Sequence, residues 1–180
     1  MTSPRHRPLA ELEAGLDEIR RSPTDAGTLA ALFARPDVGL RRMLTDGTLD
    51  LVEGLIGDNW RTRRGRVDPH AQITLMNARA AALIAGEVRQ WGLAGDQLYV
   101  DFDLSVDNVP PGTRLTIGNA VVEVTAEPHN GCRKFASRFG GDAVKFVNSP
   151  VGKRLHLRGI NARVVTAGRL AVGDAVRKAS

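Results

Sequence analysis

The chain contains one cysteine, in the segment Glu127-Pro128-His129-Asn130-Gly131-Cys132-Arg133-Lys134-Phe135. Two cations follow the thiol directly. Neighbouring positive charge favours the thiolate, the form that serves as nucleophile and as soft metal ligand. Gly131 lacks a Cβ and lets a backbone or a ligand come close. The competing reading is a buried, inert cysteine packed as a small hydrophobe. His129 stands three residues upstream. There it is either a proton acceptor that activates the thiol or an exposed turn residue. A second basic group, Lys153, Arg154, Arg158 and Arg163, lies downstream. Guanidinium forks bind phosphate and carboxylate through paired hydrogen bonds. Strands that bring this group to Arg133, Lys134 and Arg138 would set the thiol inside an anion site; otherwise each arginine belongs to a solvated basic face.

The remaining histidines, His6, His70 and His156, are scattered and do not form the tight four-ligand spacing of a structural zinc. A thiolate at Cys132 still suits a soft metal held together with a cofactor. Gly57-Asp58 and Gly173-Asp174 read as turns in which the aspartate bonds its own backbone.

These residues need a scaffold. Leu9, Leu12, Leu16 and Ile19 recur at helical spacing, with acidic residues between them and Arg20-Arg21 at the end, which predicts one amphipathic helix stopped by Ser22-Pro23. Thr28 to Phe33 is a short apolar run that fits a strand or a helix. Thr48 to Val52 alternates weakly. Arg61 to Arg66 holds four arginines (61, 63, 64 and 66) without hydrophobic period and reads as an exposed loop. Ile73 to Met76 is a strand, and Asn77 caps a helix that runs to Gly86. The second half reads as mostly β: strands at 98–104, 114–118 and 120–125, short helical turns around Phe135, Phe139 and 143–147, then strands at 155–157 and 162–165 and a final run after Gly168. Short strands between Gly and Pro turns predict a small barrel or sandwich. No linker divides the chain, so residues 1–26 are expected to form an N-terminal helix and connector, and 27–178 one domain.

With 42% hydrophobic and 25% charged residues, the chain is that of a globular protein rather than a disordered one. No apolar run approaches the ~20 residues that span a bilayer. No apolar region follows Met1 to Pro8 as in a secretory signal, and one cysteine cannot form an internal disulfide. A reducing cytoplasm is therefore the expected compartment. The formal charge of +5 favours anionic partners. Aromatic residues make up only 4% and do not interleave with the basic ones, which argues against a single-stranded nucleic-acid platform.

From residue 27 to 178 the order and spacing of several pieces resemble the MOSC domain family, the C-terminal domain of molybdenum cofactor sulfurases that is also found as small stand-alone proteins. The pieces are Gly54 to Asp58, Ile73 to Leu75, Pro111 to Thr125, Gly131-Cys132-Arg133-Lys134-Phe135, Arg158 to Val165 and Val172-Gly173-Asp174. The resemblance implies a mainly β fold with flanking helices, a small barrel of the MOSC (pyruvate-kinase-barrel-like) type. It further implies that Cys132 carries sulfur as a persulfide or ligates molybdenum. On that reading, Arg133, Lys134, Arg158, Asn161 and Arg163 hold the molybdenum–pterin cofactor or another anion, and His129 is a proton shuttle. The pyridoxal-phosphate domain of full-length sulfurases has no counterpart in this chain, so pyridoxal phosphate is not expected. Two functions follow as expectations: a sulfur carrier or sulfurtransferase supplied by a sulfur-donor protein, and a non-catalytic module for a phosphorylated small molecule or acidic partner.

Overall fold

The computed structural model describes residues 4–63, 65 and 67–179. Arg64 and Arg66, two of the four arginines at 61–66, lie outside them. The helix expected from Leu9 to Arg21 is two helices, α1 (Leu9–Ala14) and α2 (Leu16–Arg20). They divide at Gly15, where a Cβ would stand 2.6 Å from the end of the Leu83 side chain, which would have to shift to admit one. Leu12 and Ile19 are the residues these helices bury.

Strand β1 (Ala26–Ala34) comes next, then β2 (Arg42–Leu44), β3 (Asp46–Asp50) and β4 (Gly54–Leu55). Strand β5 (Ile73–Asn77) leads into α3 (Ala78–Ala85). The Asn77 side chain accepts from the Ala80 amide, and Gly86 ends the helix at φ 79°, as the sequence predicted. Helix α4 (Val88–Trp91) and a 3-10 turn (Gly92–Ala94) precede β6 (Leu98–Asp101). Strands β7 (Arg114–Ile117) and β8 (Ala120–Val124) form a hairpin. Three helices follow: α5 (Arg133–Phe139), α6 (Gly141–Asn148) and α7 (Pro150–Arg154). Strands β9 (Ile160–Thr166), β10 (Gly168–Ala171) and β11 (Ala175–Lys178) complete the chain. The strand expected at 155–157 is instead the turn that ends α7, with His156 at φ +49°.

Seven strands close a ring in the order β1-β6-β5-β9-β8-β7-β11, with β2 added outside on β1 and a separate sheet β10-β3-β4. The seam is β1 against β11, Ala26 opposite Arg177 and Thr28 opposite Ala175. Only β5 and β6 pair in parallel, and α3 and α4 make the crossover that such a pair needs. Two cores result. One fills the barrel, including Leu29, Leu32, Leu75, Leu98, Val100 and Val122. The other lies between the barrel wall and the helices, including Ala31, Phe33, Met76, Tyr99, Trp91, Phe135 and Phe146. Strands β5 and β6 and the latter part of β1, from Leu29 on, are therefore buried on both faces, which gives them continuous apolar runs rather than alternation. The observed architecture is the small barrel with flanking helices expected from the sequence. Among the described residues no helix is long and apolar enough to cross a membrane.

Candidate functional site

The cysteine segment connects β8 to α5, and two asparagine side chains fix its path. Asn161 on β9 donates to the carbonyl of Glu127 at 3.1 Å. Asn148, at the end of α6, makes a reciprocal pair with Gly131, accepting from its amide and donating to its carbonyl at 2.9 and 3.0 Å. Gly131 packs so closely there that a Cβ would lie 2.8 Å from Val147. The segment is thereby held with His129 in the wall of a cleft and Cys132 on the exterior.

Cys132 is exposed and occupies the cap position before α5. Its partial burial raises the thiol. The amides of Phe135 and Lys134, followed by the charges of Arg158 and Lys134, outweigh this and hold the thiol below its ordinary value. A helix N-terminus with adjacent cations is an environment that yields thiolate. Arg133 and Lys134, the first residues of α5, are exposed beside it. Arg163 lies elsewhere: on the outer face of β9 it forms a two-point pair with Glu123, at 2.7 and 3.1 Å.

Behind the segment is a buried charge cluster. Asp96, between the 3-10 turn and β6, is fully buried. Arg158, 7% exposed, donates to Asp96 Oδ2 at 2.6 Å and to the Ala94 carbonyl at 2.8 Å, and its guanidinium stacks 5.0 Å from the Phe135 ring centre. His129 Nδ1 lies 3.5 Å from Asp96 Oδ1, and neither of these two buried atoms makes a hydrogen bond among the described residues. Gly159, at φ +104°, leaves room for this ring; a Cβ there would lie 3.3 Å from His129 Nδ1 and 2.4 Å from the Leu75 carbonyl oxygen.

Four consecutive carbonyls at the end of the 3-10 turn each accept from a different arginine: Gly92 from Arg41, Leu93 from Arg138, Ala94 from Arg158 and Gly95 from Arg35. The end of a helical turn leaves carbonyls that cations satisfy. Arg35 is neutralised by Asp58, whose side chain is fully buried and grips it through both oxygens at 2.8 Å. Asp58 accepts from the Trp60 amide as a turn aspartate does, but its larger role is this ion pair. Burial, then Arg138 and Arg35, pushes Arg41 down. Burial, then Arg35, lowers Arg63. Positive charge is thus concentrated on this side of the molecule. The sequence reading missed Asp96, Arg35 and Arg41. The one local signal was a polar pair, Asp96-Gln97, standing immediately before an apolar strand.

The cleft has a volume of about 420 Å³. Glu127, His129, Lys153, His156, Arg158 and Asn161 supply its polar wall, and Val147 and Ile160 are among its apolar residues. Cys132, Arg133, Lys134 and Arg163 are not among its lining residues. Arg158 joins the two regions, since it lines the cleft and its charge also acts on Cys132.

His129 is pushed down from 6.5 to about 4, by burial first, with Arg158 and Arg35 adding to the shift and Asp96 opposing it. A histidine held neutral on folding contributes stability that is present above its unfolded value and is lost as the pH falls toward its folded value. The interval is therefore 6.5 down to about 4, and the gap corresponds to about 3 kcal/mol. Urea titrations of His129→Asn should show a decline over that interval flatter by about this amount than in the parent protein. Equal slopes would mean that His129 titrates as a free imidazole.

The MOSC domain model matches residues 62–177, and the chain belongs to the MOSC domain family. The crystal structure of the YuaD protein of Bacillus subtilis aligns with a TM-score of 0.57 at 18% identity, over 84% of this chain and 94% of that one. YiiM of Escherichia coli gives 0.58 at 19%, over 86% and 70%. YiiM of Geobacillus stearothermophilus gives 0.59 at 15%, over 86% and 75%. At these identities the likeness shows the fold alone. No curated protein matches the sequence.

Proposed function

We propose that this MOSC-domain protein carries sulfur, or ligates molybdenum, through the thiolate of Cys132. The supporting observation is an exposed sulfur held below its ordinary thiol value by two backbone amides and by the charges of Arg158 and Lys134. In sulfur transfer the thiolate attacks the terminal sulfur of a donor persulfide. A new S–S bond forms, the donor's S–S bond breaks, and the donor leaves as its thiolate. An acceptor thiolate then attacks the outer sulfur of the Cys132 persulfide and releases Cys132 as thiolate.

The chain's residues also fit a molybdenum–pterin cofactor. Cys132 is the soft ligand, Arg158 and Lys134 are the cations nearest to it in effect, and the neighbouring cleft is of small-molecule size. When bound, that group would supply redox chemistry at the metal. The residues here would hold it and keep its thiolate ligand ionised. Arg163, paired with Glu123 and absent from the cleft lining, contributes less directly than Arg158.

The test is the intact mass after incubation with a persulfide donor: a gain of about 32 Da, absent in Cys132→Ser, supports the carrier. Molybdenum analysis of the purified protein tests the ligand role. The second reading, a binding module for a phosphorylated small molecule, draws on the concentration of arginines. It requires that Cys132→Ala bind such a ligand as the parent does, and that Arg41→Ala weaken binding.

A further inference from the structure

We infer that Asp96 is a positioning residue that fixes His129 as a one-sided base, with Nδ1 turned to the carboxylate and Nε2 presented to the cleft. The cleft is thereby a proton-accepting site for a small molecule with a dissociable N–H or O–H. This stands independently of sulfur or molybdenum at Cys132.

The geometry is specific. His129 Nδ1 is buried and Asp96 Oδ1 is the carboxylate atom facing it at 3.5 Å. The other carboxylate oxygen is occupied by Arg158, so the Asp96 side chain cannot swing away without breaking a 2.6 Å bond. An imidazole whose Nδ1 faces a carboxylate carries its proton on that nitrogen and leaves Nε2 as the acceptor. The ring lines the cleft, and Nε2, unlike Nδ1, is not among its buried atoms without a hydrogen bond. No hydrogen bond joins His129 to Cys132 among the described residues, so the base serves the cleft rather than the thiol.

In the reaction this arrangement permits, the ligand's proton passes to Nε2 and its electron pair stays on the ligand atom. Asp96 Oδ1 stabilises the imidazolium so formed. Lys153, for which no carboxylate partner is found among the described residues, and Arg158 line the same cleft and favour the anion left behind. The other charged or titratable groups facing His129 are Arg35, from the end of β1, and Glu127 and His156 in the cleft wall.

Long-range proton–nitrogen correlation spectra of the uniformly nitrogen-15-labelled full chain, with His129 assigned from His129→Gln, decide the matter. At pH 7 the expected ring is neutral with its proton on Nδ1. In Asp96→Asn, the amide can donate to Nδ1, and the two nitrogen resonances should exchange character as the proton moves to Nε2. Loss of a purely structural Asp96–Arg158 pair would not cause that exchange. Where Asp96→Asn fails to fold by circular dichroism, the parent spectrum is decisive alone. A ring protonated on Nε2 only, or doubly protonated at pH 7, overturns the inference, as does an unchanged tautomer in folded Asp96→Asn.

Discussion

Arg158→Met is expected to cost about 3–5 kcal/mol of unfolding free energy at pH 7.5, read from urea titration, because it removes one partner of a buried ion pair and leaves the other uncompensated. Asp96 is fully buried, and Arg158 supplies its short charge-assisted bond while also satisfying the Ala94 carbonyl and covering the Phe135 ring. Methionine fills the space but offers no donor. The double variant Asp96→Leu/Arg158→Met should recover much of the loss, since replacing both partners by apolar groups removes the desolvation cost together with the attraction. The pH dependence gives a sharper signature. Arg158 depresses His129, and Asp96 raises it. With the arginine gone, a protonated His129 is the cation facing Asp96 Oδ1. Burial still lowers His129, but without Arg158 adding to the shift, so the variant loses less stability than the parent as the pH falls below 6.5. Arg158→Met should therefore be less destabilising at pH 5.5 than at pH 7.5. A deficit that grows on acidification would show that Asp96 and His129 do not communicate.

The second large effect concerns Cys132. Its rate of alkylation by iodoacetamide should rise with pH along a curve centred below that of an ordinary thiol, in keeping with the thiolate being the reactive species. Lys134→Gln should shift the curve upward slightly, because an exposed charge is screened by solvent. Arg158→Met should shift it further, since Arg158 is the leading side-chain charge acting on the sulfur. Cys132→Ser should abolish sulfur loading and any molybdenum binding altogether. An alkylation curve centred at or above the ordinary thiol value would remove the physical basis for the sulfur-carrier reading.

The β half of the fold was legible because turn residues and β-branched runs bound each strand; the hairpin at 114–124 and β9 fall where periodicity put them. Asn77 was legible as a cap because its chemistry is local. Strand β1 was ambiguous for a definite reason. A bulge between Leu29 and Ala31 shifts the register, so Leu29 and Leu32 both point into the barrel although they lie three apart. That spacing imitates a helix. The run at 155–157 looked like a strand because Leu155 and Leu157 flank a polar residue, yet a turn buries Leu157 equally well. At the site, the cysteine segment announced itself through residue types next to one another. Asp96 and Arg35 did not, because their importance comes from partners 62 and 23 residues away. Arg163 looked equivalent to Arg158 in sequence, but alternation along β9 sends it to the outer face, where Glu123 takes it up.

The pairing of β1 with β11 has a consequence for how the molecule is made. The first strand of the ring cannot find its second neighbour until the last one has been synthesised and has left the ribosome, so the nascent chain waits with a partly open sheet. Contacts this remote in sequence slow the final step. Until the ring closes, the apolar side chains of Leu29, Leu115 and Ile117 lack the cover that β11 brings to their sheet edges.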